Sequence, residues 1–221
     1  MRVTGEMFNR RFKLAGLCWL CCLLVLAAPA ARAQEPLQTL LQQLSTRGQL
    51  DIAGATVYDL RVTQEFYQRD DWRPAWTRQE TVSELAAAIE QAGREGMSGR
   101  DYHQDQVRDL LDGGLSLDAA SRDLLLTDSL VRLTYHYALG KVDPSEYSPS
   151  WNFERKLPDI DPVTWIGQVI AHGGIGAGLD KLKPANPMYK HLVLALARYR
   201  QIAADGGWDS IAKGPTLREG G

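Results

Sequence analysis

Between residues 116 and 140 the apolar positions sit on all sides of a helical wheel: Leu124, Leu125, Leu126, Leu130, Val131, Leu133, Tyr135, Tyr137 and Leu139 share no single stripe. A helix that is apolar on most faces must be covered on most faces, so this segment predicts a buried central helix. Ser116 is its expected N-cap, with Asp118 in the first turn. A second long helix is predicted from Asn186-Pro187, a cap followed by proline at the first helical position, to Gly206-Gly207. Its Leu192, Ala195, Leu196, Tyr199, Ile202 and Ala203 recur at three- and four-residue spacing, which marks an expected core face.

Shorter helical patterns cover residues 57–69, with Leu60, Phe66 and Tyr67 apolar, and residues 82–91, with Leu85, Ala88 and Ile89 on one side and Gly93 as a stop. A third covers residues 101–111 and stops at Gly113-Gly114. Residues 38–44 form a weakly amphipathic lead-in and residues 47–54 read as a glycine-bearing linker. β-Branched alternation is almost absent. The predicted fold is all-α, an irregular bundle of about seven to nine helices.

The first residues have a different character. Arg2, Arg10, Arg11 and Lys13 form a basic start, an apolar run extends from Leu17 to Ala28, and Ala31-Arg32-Ala33 is a small-x-small cleavage site. The expected secretion signal is residues 1–33, cut between Ala33 and Gln34. The apolar run is too short for a bilayer, which takes about 20 residues. Leu17 and Leu20 also stand where a lipidated cysteine would need a small neighbour. The mature chain is therefore expected not to span a membrane.

Cutting there leaves 188 of the 221 residues, enough for one domain with a core. It also leaves 20 basic against 26 acidic residues, a net charge of −6, and no basic stripe interleaved with aromatics. That balance argues against nucleic acid as a partner. The only cysteines, Cys18, Cys21 and Cys22, fall inside the signal, so the mature protein has neither disulfide nor thiol.

Candidate chemistry is thin. His103, His136, His172 and His191 are too far apart in sequence to present two ligands on one helix face, and no metal or cofactor is expected. The run His172-Gly173-Gly174-Ile175-Gly176-Ala177-Gly178 offers an oxyanion strand or phosphate cradle at first sight. It lacks a Gly-x-Ser-x-Gly nucleophile and a following Lys-Ser/Thr, and reads as a flexible loop between helices. The carboxylate pairs Asp70/Asp71 and Asp159/Asp161 could suggest a wall hydrolase. Their setting beside turns and prolines favours cap and turn roles. Asp128, inside the most apolar helix, needs a partner, and Arg132 one turn on and His136 two turns on are available. No residue is assigned as catalytic. Tyr67, Trp72, Trp76, Trp151 and Trp165 form the one candidate set for a ligand groove.

A series of strings, modest singly, is specific in its order. Glu65-Phe66-Tyr67-Gln68-Arg69 precedes Trp72-Arg73-Pro74-Ala75-Trp76, then Glu95-Gly96-Met97 and Asp101-Tyr102-His103. Leu124-Leu125-Leu126-Thr127-Asp128 follows, running through Tyr135-His136 to Gly140-Lys141-Val142-Asp143-Pro144. Leu182-Lys183-Pro184, Tyr189, Leu196-Ala197-Arg198-Tyr199-Arg200, Gly206-Gly207-Trp208 and Gly214-Pro215 complete it. Over residues 57–220 the chain resembles the helical scaffold, or stem, of the large periplasmic L,D-transpeptidases of the YcbB-like group.

The resemblance implies a periplasmic protein of peptidoglycan cross-linking and cell-wall remodelling. In that family the stem precedes a peptidoglycan-binding-like module and a YkuD-type domain whose Ser-His-Gly-Cys cysteine carries the acyl group. This chain has no such motif, and without a thiolate it is expected to be inactive alone. The expected organisation is signal 1–33, lead-in 34–56, scaffold 57–213 and the truncated start of the next module at 214–221. The implied partners are the missing catalytic and peptidoglycan-binding-like domains, with peptidoglycan or a wall synthase as further candidates. The alternative reading is a free-standing periplasmic interaction protein.

Overall fold

A computed structural model of the protein describes residues 28–148, 150, 160–211 and 214. Most of the expected signal and Trp151 lie outside the described residues. Helix α1, Ala28–Arg47, contains both Ala33 and Gln34 and places Leu37, Leu41 and Leu44, four and three residues apart, in the core with no exposed surface. The lead-in is thus the end of a core helix.

The linker is a hairpin. Strands β1, Gln49–Ile52, and β2, Ala55–Tyr58, pair antiparallel with Ile52 opposite Ala55 and Gln49 opposite Tyr58. Ala53 and Gly54 both have positive φ, 53° and 77°, the geometry of a two-residue hairpin turn, and Gly54 N–H donates to Asp51 Oδ1 at 3.0 Å. Leu50, Ile52, Ala55 and Val57 face the core. Four residues of alternation per strand, turned by Ala-Gly instead of Asn-Gly, give too weak a signal to read in sequence. Val57 and Tyr58 accordingly belong to β2 and not to the next helix, α2, which spans Arg61–Arg69.

Helix α3 runs Gln79–Arg94, passes through Gly93 and ends before Gly96, whose φ of 101° turns the chain. The helix expected at residues 101–111 is split. Gly99–Tyr102 is a single 3-10 turn, His103 is left-handed with φ 55°, and α4 occupies Gln104–Asp112. Helix α5, Ala119–Leu139, is the buried central helix, touched by α1, α2, α3, the 3-10 turn and β2. Asp118, not Ser116, caps it through Ser121 N–H. Burying each of its fully enclosed leucines contributes about 1.5–3 kcal/mol, which makes this helix the main source of packing energy.

A 3-10 turn at Pro144–Glu146 leads away from α5. Helix α6, Pro162–His172, starts at the Asp161 cap, and α7, Ile175–Asp180, converts the second half of the expected glycine loop into helix. Helix α8 spans Pro187–Ala204, with Asn186 capping Met188 N–H as its Asn-Pro start requires. None of its residues is fully buried, and Leu192 and Tyr199, expected in the core, are 61% and 58% exposed. The described residues form eight helices and one two-stranded hairpin, an all-α irregular bundle.

Candidate functional site

The sequence strings meet in space as three polar knots on the sides of α5. In the first, Asp123 of α5 is 2% exposed and accepts three hydrogen bonds. Tyr67 Oη donates to Oδ1 at 2.7 Å, Ala75 N–H to Oδ1 at 2.9 Å, and Trp76 N–H to Oδ2 at 2.9 Å. One turn on, Thr127 Oγ1 lies 2.7 Å from Tyr67 Oη and receives Trp76 Nε1–H at 2.9 Å, while Arg122 donates to Trp76 O. The chain reaches this place through Asp71 and Trp72, both left-handed with φ 51° and 59°. Burial pushes the Asp123 carboxyl above its ordinary value, against the pull of its hydrogen bonds. Burial and the neighbouring Asp123 raise the Tyr67 hydroxyl well above its usual range.

The second knot holds the hairpin and the 3-10 turn. Asp128 Oδ2 lies 2.7 Å from His103 Nε2 and 2.8 Å from Arg132 Nε, with Asp128 wholly buried and His103 4% exposed. Arg132 also donates to Asp101 O and Thr56 O, and its guanidinium sits 4.6 Å over the Tyr58 ring. The intrahelical Asp128–Arg132 pair forms as the spacing requires. His136 turns elsewhere: its Nδ1 lies 2.8 Å from Tyr102 Oη, which is also 2.9 Å from Met97 Sδ. Burial lowers the His136 imidazole below its ordinary value, outweighing the opposing field of Asp101. The left-handed backbone at His103 is what aims its ring at Asp128 from 25 residues away, and helical spacing alone carries no sign of it.

The third knot ties the C-terminal elements to α3. Lys183 Nζ is 2.6 Å from Glu95 Oε1 and 2.7 Å from Asp180 Oδ1, and stands 5.0 Å over the Tyr137 ring. Tyr189 Oη of α8 donates to Glu95 Oε2 and Gln91 Nε2 to Glu95 Oε1. Burial pushes Glu95 up, yet the bonds from Lys183, Tyr189 and Gln91 together hold its carboxyl below the ordinary value.

The glycine run is already supplied with its anion. Glu84 of α3 accepts Gly174 N–H at 2.6 Å and Ile175 N–H at 2.9 Å, so a carboxylate of the protein itself occupies the start of α7. Gly173, at φ 82°, holds a backbone conformation that a side chain would strain, and a Cβ there would also press on Glu84 Oε1 at 2.9 Å. Of the carboxylate pairs, Asp161 caps Thr164 and pairs with Arg69, while Asp70 ends α2. Asp159 lies outside the described residues.

The four described members of the candidate groove set, Tyr67, Trp72, Trp76 and Trp165, do not share one groove. Tyr67 and Trp76 are 0% and 2% exposed and their polar atoms are engaged in the first knot, so they offer a ligand no surface. Trp72 and Trp165 are half-buried; Trp165 rests against Gly178, where a Cβ would come within 2.9 Å of its ring. An open cleft of about 520 Å³ between α3 and α7 is lined by Glu84, Gln91, Tyr137, Gly176, Asp180 and Lys183. Among the described residues no group of three His, Cys, Asp or Glu could hold a metal, and no helix is long and apolar enough to cross a membrane.

A family model described as Scaffold domain matches residues 61–196, from the start of α2 into α8. The chain belongs to the Scaffold domain family. No curated protein and no solved structure matches it. The first and third knots fall within the matched span of the scaffold domain, and the second reaches beyond it to Thr56 and Tyr58 of the hairpin. Their side chains bond one another and main chain, an arrangement that fixes the helices. The α1 helix and the hairpin lie before the match and still share the scaffold domain's core.

Proposed function

We propose that this chain is the scaffold domain of a periplasmic murein L,D-transpeptidase, which positions a catalytic cysteine domain for peptidoglycan cross-linking and has no activity alone. The observation that carries the reading is the pairing of the ordered strings across the fold. Tyr67 and Trp76 meet Asp123 and Thr127, His103 meets Asp128, and Glu95 meets Lys183 and Tyr189. Residues held in this way give a rigid frame, which is what a catalytic domain needs from its support. The absence of any thiol after Cys22 is in keeping with a supporting role.

The test is the intact mass of the protein recovered from the periplasm with an antibody against this segment, followed by labelling with a carbapenem. A carbapenem-acylated cysteine on the recovered polypeptide, or on a protein held stoichiometrically by it, is the expected result. Recovery of this chain alone, with nothing acylated and with direct binding to purified sacculi, would replace the reading with a free-standing interaction protein. The exposed apolar side of α8 is the observation that favours that second reading.

A further inference from the structure

Helix α8 has two apolar sides, and the fold uses only one. Tyr189 bonds Glu95, Leu196 lies against Gly96, and Arg200 donates to Gly93 O and Arg94 O, so this side docks on the end of α3. On the other side stand Met188, Leu192, Ala195, Tyr199 and Ile202, separated by four, three, four and three residues. That is the spacing of a heptad seam, the pattern by which one helix receives another. Met188, Leu192 and Tyr199 are 58%, 61% and 58% exposed, and Trp208, 69% exposed, extends the strip beside Tyr199 at 5.7 Å between ring centroids.

The charge on this strip identifies what fits it. Helix α8 contains Lys190, His191, Arg198 and Arg200 and no acidic residue, in a chain that is acidic overall. His191 and Arg198 lie on one flank of the seam and are exposed. A second copy packed antiparallel on the same strip would set these cations against their like. The surface is also notched. Ala195 forms the floor of a hollow of about 580 Å³ walled by Leu194, Tyr199, Ile202 and Trp208, with Arg198 at its rim. A small residue between large ones is a hole for a side-chain knob, whereas a bilayer surface meets flat or convex apolar faces better.

We infer that the outer face of α8 is a docking strip for an amphipathic helix that carries carboxylates beside its apolar seam. The inference holds whatever chemistry the whole protein serves. Its test uses the purified protein and three probes: a labelled synthetic heptad peptide with leucine at the seam and glutamate beside it, the same peptide with lysine for glutamate, and phosphatidylglycerol–phosphatidylethanolamine vesicles. Fluorescence anisotropy should show the glutamate peptide binding at least about tenfold tighter than the lysine one, more weakly as salt rises. Leu192→Glu and Tyr199→Glu, both at exposed positions and checked for unchanged thermal unfolding, should abolish binding. Arg198→Glu should reverse the peptide preference. Equal binding of both peptides, indifference to these variants, binding of vesicles in place of peptide, or a concentration-dependent dimer that Leu192→Glu dissolves would each overturn the inference.

Discussion

Asp123 Oδ2 accepts the main-chain N–H of Trp76 at 2.9 Å, and through this bond the central helix fixes the path of a chain segment 47 residues before it. Ala75 N–H and Tyr67 Oη share the other oxygen, so one carboxylate joins α2, the turn that follows it and α5.

Asp123→Asn should therefore destabilise the fold by about 1–3 kcal/mol, because an amide NH2 at either position would face a donor and leave buried N–H groups unpaired. Urea unfolding measures this. Combined with Tyr67→Phe the losses should be less than additive, since both substitutions break the same bond. Simple additivity would mean that Tyr67 and Asp123 act independently.

Asp128→Ala should cost about 3–5 kcal/mol by leaving Arg132 and His103 without their shared oxygen. Because Arg132 also holds Thr56 O, hydrogen exchange should rise first in the hairpin, residues 49–58, and less in α2. Uniform loss of protection would contradict this local role.

Acid should loosen α8 before the core. The carboxyl of Glu95 is held below its ordinary value of 4.5 by Lys183, Tyr189 and Gln91, so its contribution is present above that value and is lost as pH falls through the lower, folded one. Exchange of the α8 amides and Trp208 fluorescence should change in that window while α5 stays protected. Glu95→Gln should remove most of the pH dependence. An α8 that releases only with global unfolding would show that the third knot does not control it.

Gly178→Ala puts a Cβ 2.9 Å from the Trp165 ring and should destabilise by about 1–3 kcal/mol through overpacking. Trp165→Phe in the same chain should restore part of the loss, because it shortens the ring system that the new methyl meets. Thermal unfolding of the two single variants and the double variant is the measurement.

Leu41→Ala should cost about 2–5 kcal/mol, the loss expected for a fully buried leucine. The same logic predicts that a chain beginning at Asp59, without α1 and the hairpin, loses its cooperative unfolding transition. A chain beginning at Gln34 keeps Leu37, Leu41 and Leu44 and should unfold cooperatively. Calorimetry on the two distinguishes them.

The sequence by itself determined the helical class and the place of α5. Leucines on every side of one helix have only one stable environment, and this follows from burial without knowledge of any neighbour. It also determined the start of α8, because Asn186 and Pro187 act within one turn, and the pairing of Asp128 with Arg132 at four residues' separation. Tertiary structure decided what depends on distant partners. Periodicity showed that α8 has an apolar stripe through Leu192 and Tyr199, yet not which of its two apolar sides meets α3; Glu95 and the carbonyls of Gly93 and Arg94 settle that. His103 reaches Asp128, and Glu84 fills the glycine turn, only because left-handed backbone and helix packing bring together residues 25 and 90 positions apart. Local propensity is written in neighbouring residues, but a buried polar contact is chosen by whichever distant group can satisfy it, and that choice exists only once the helices are packed.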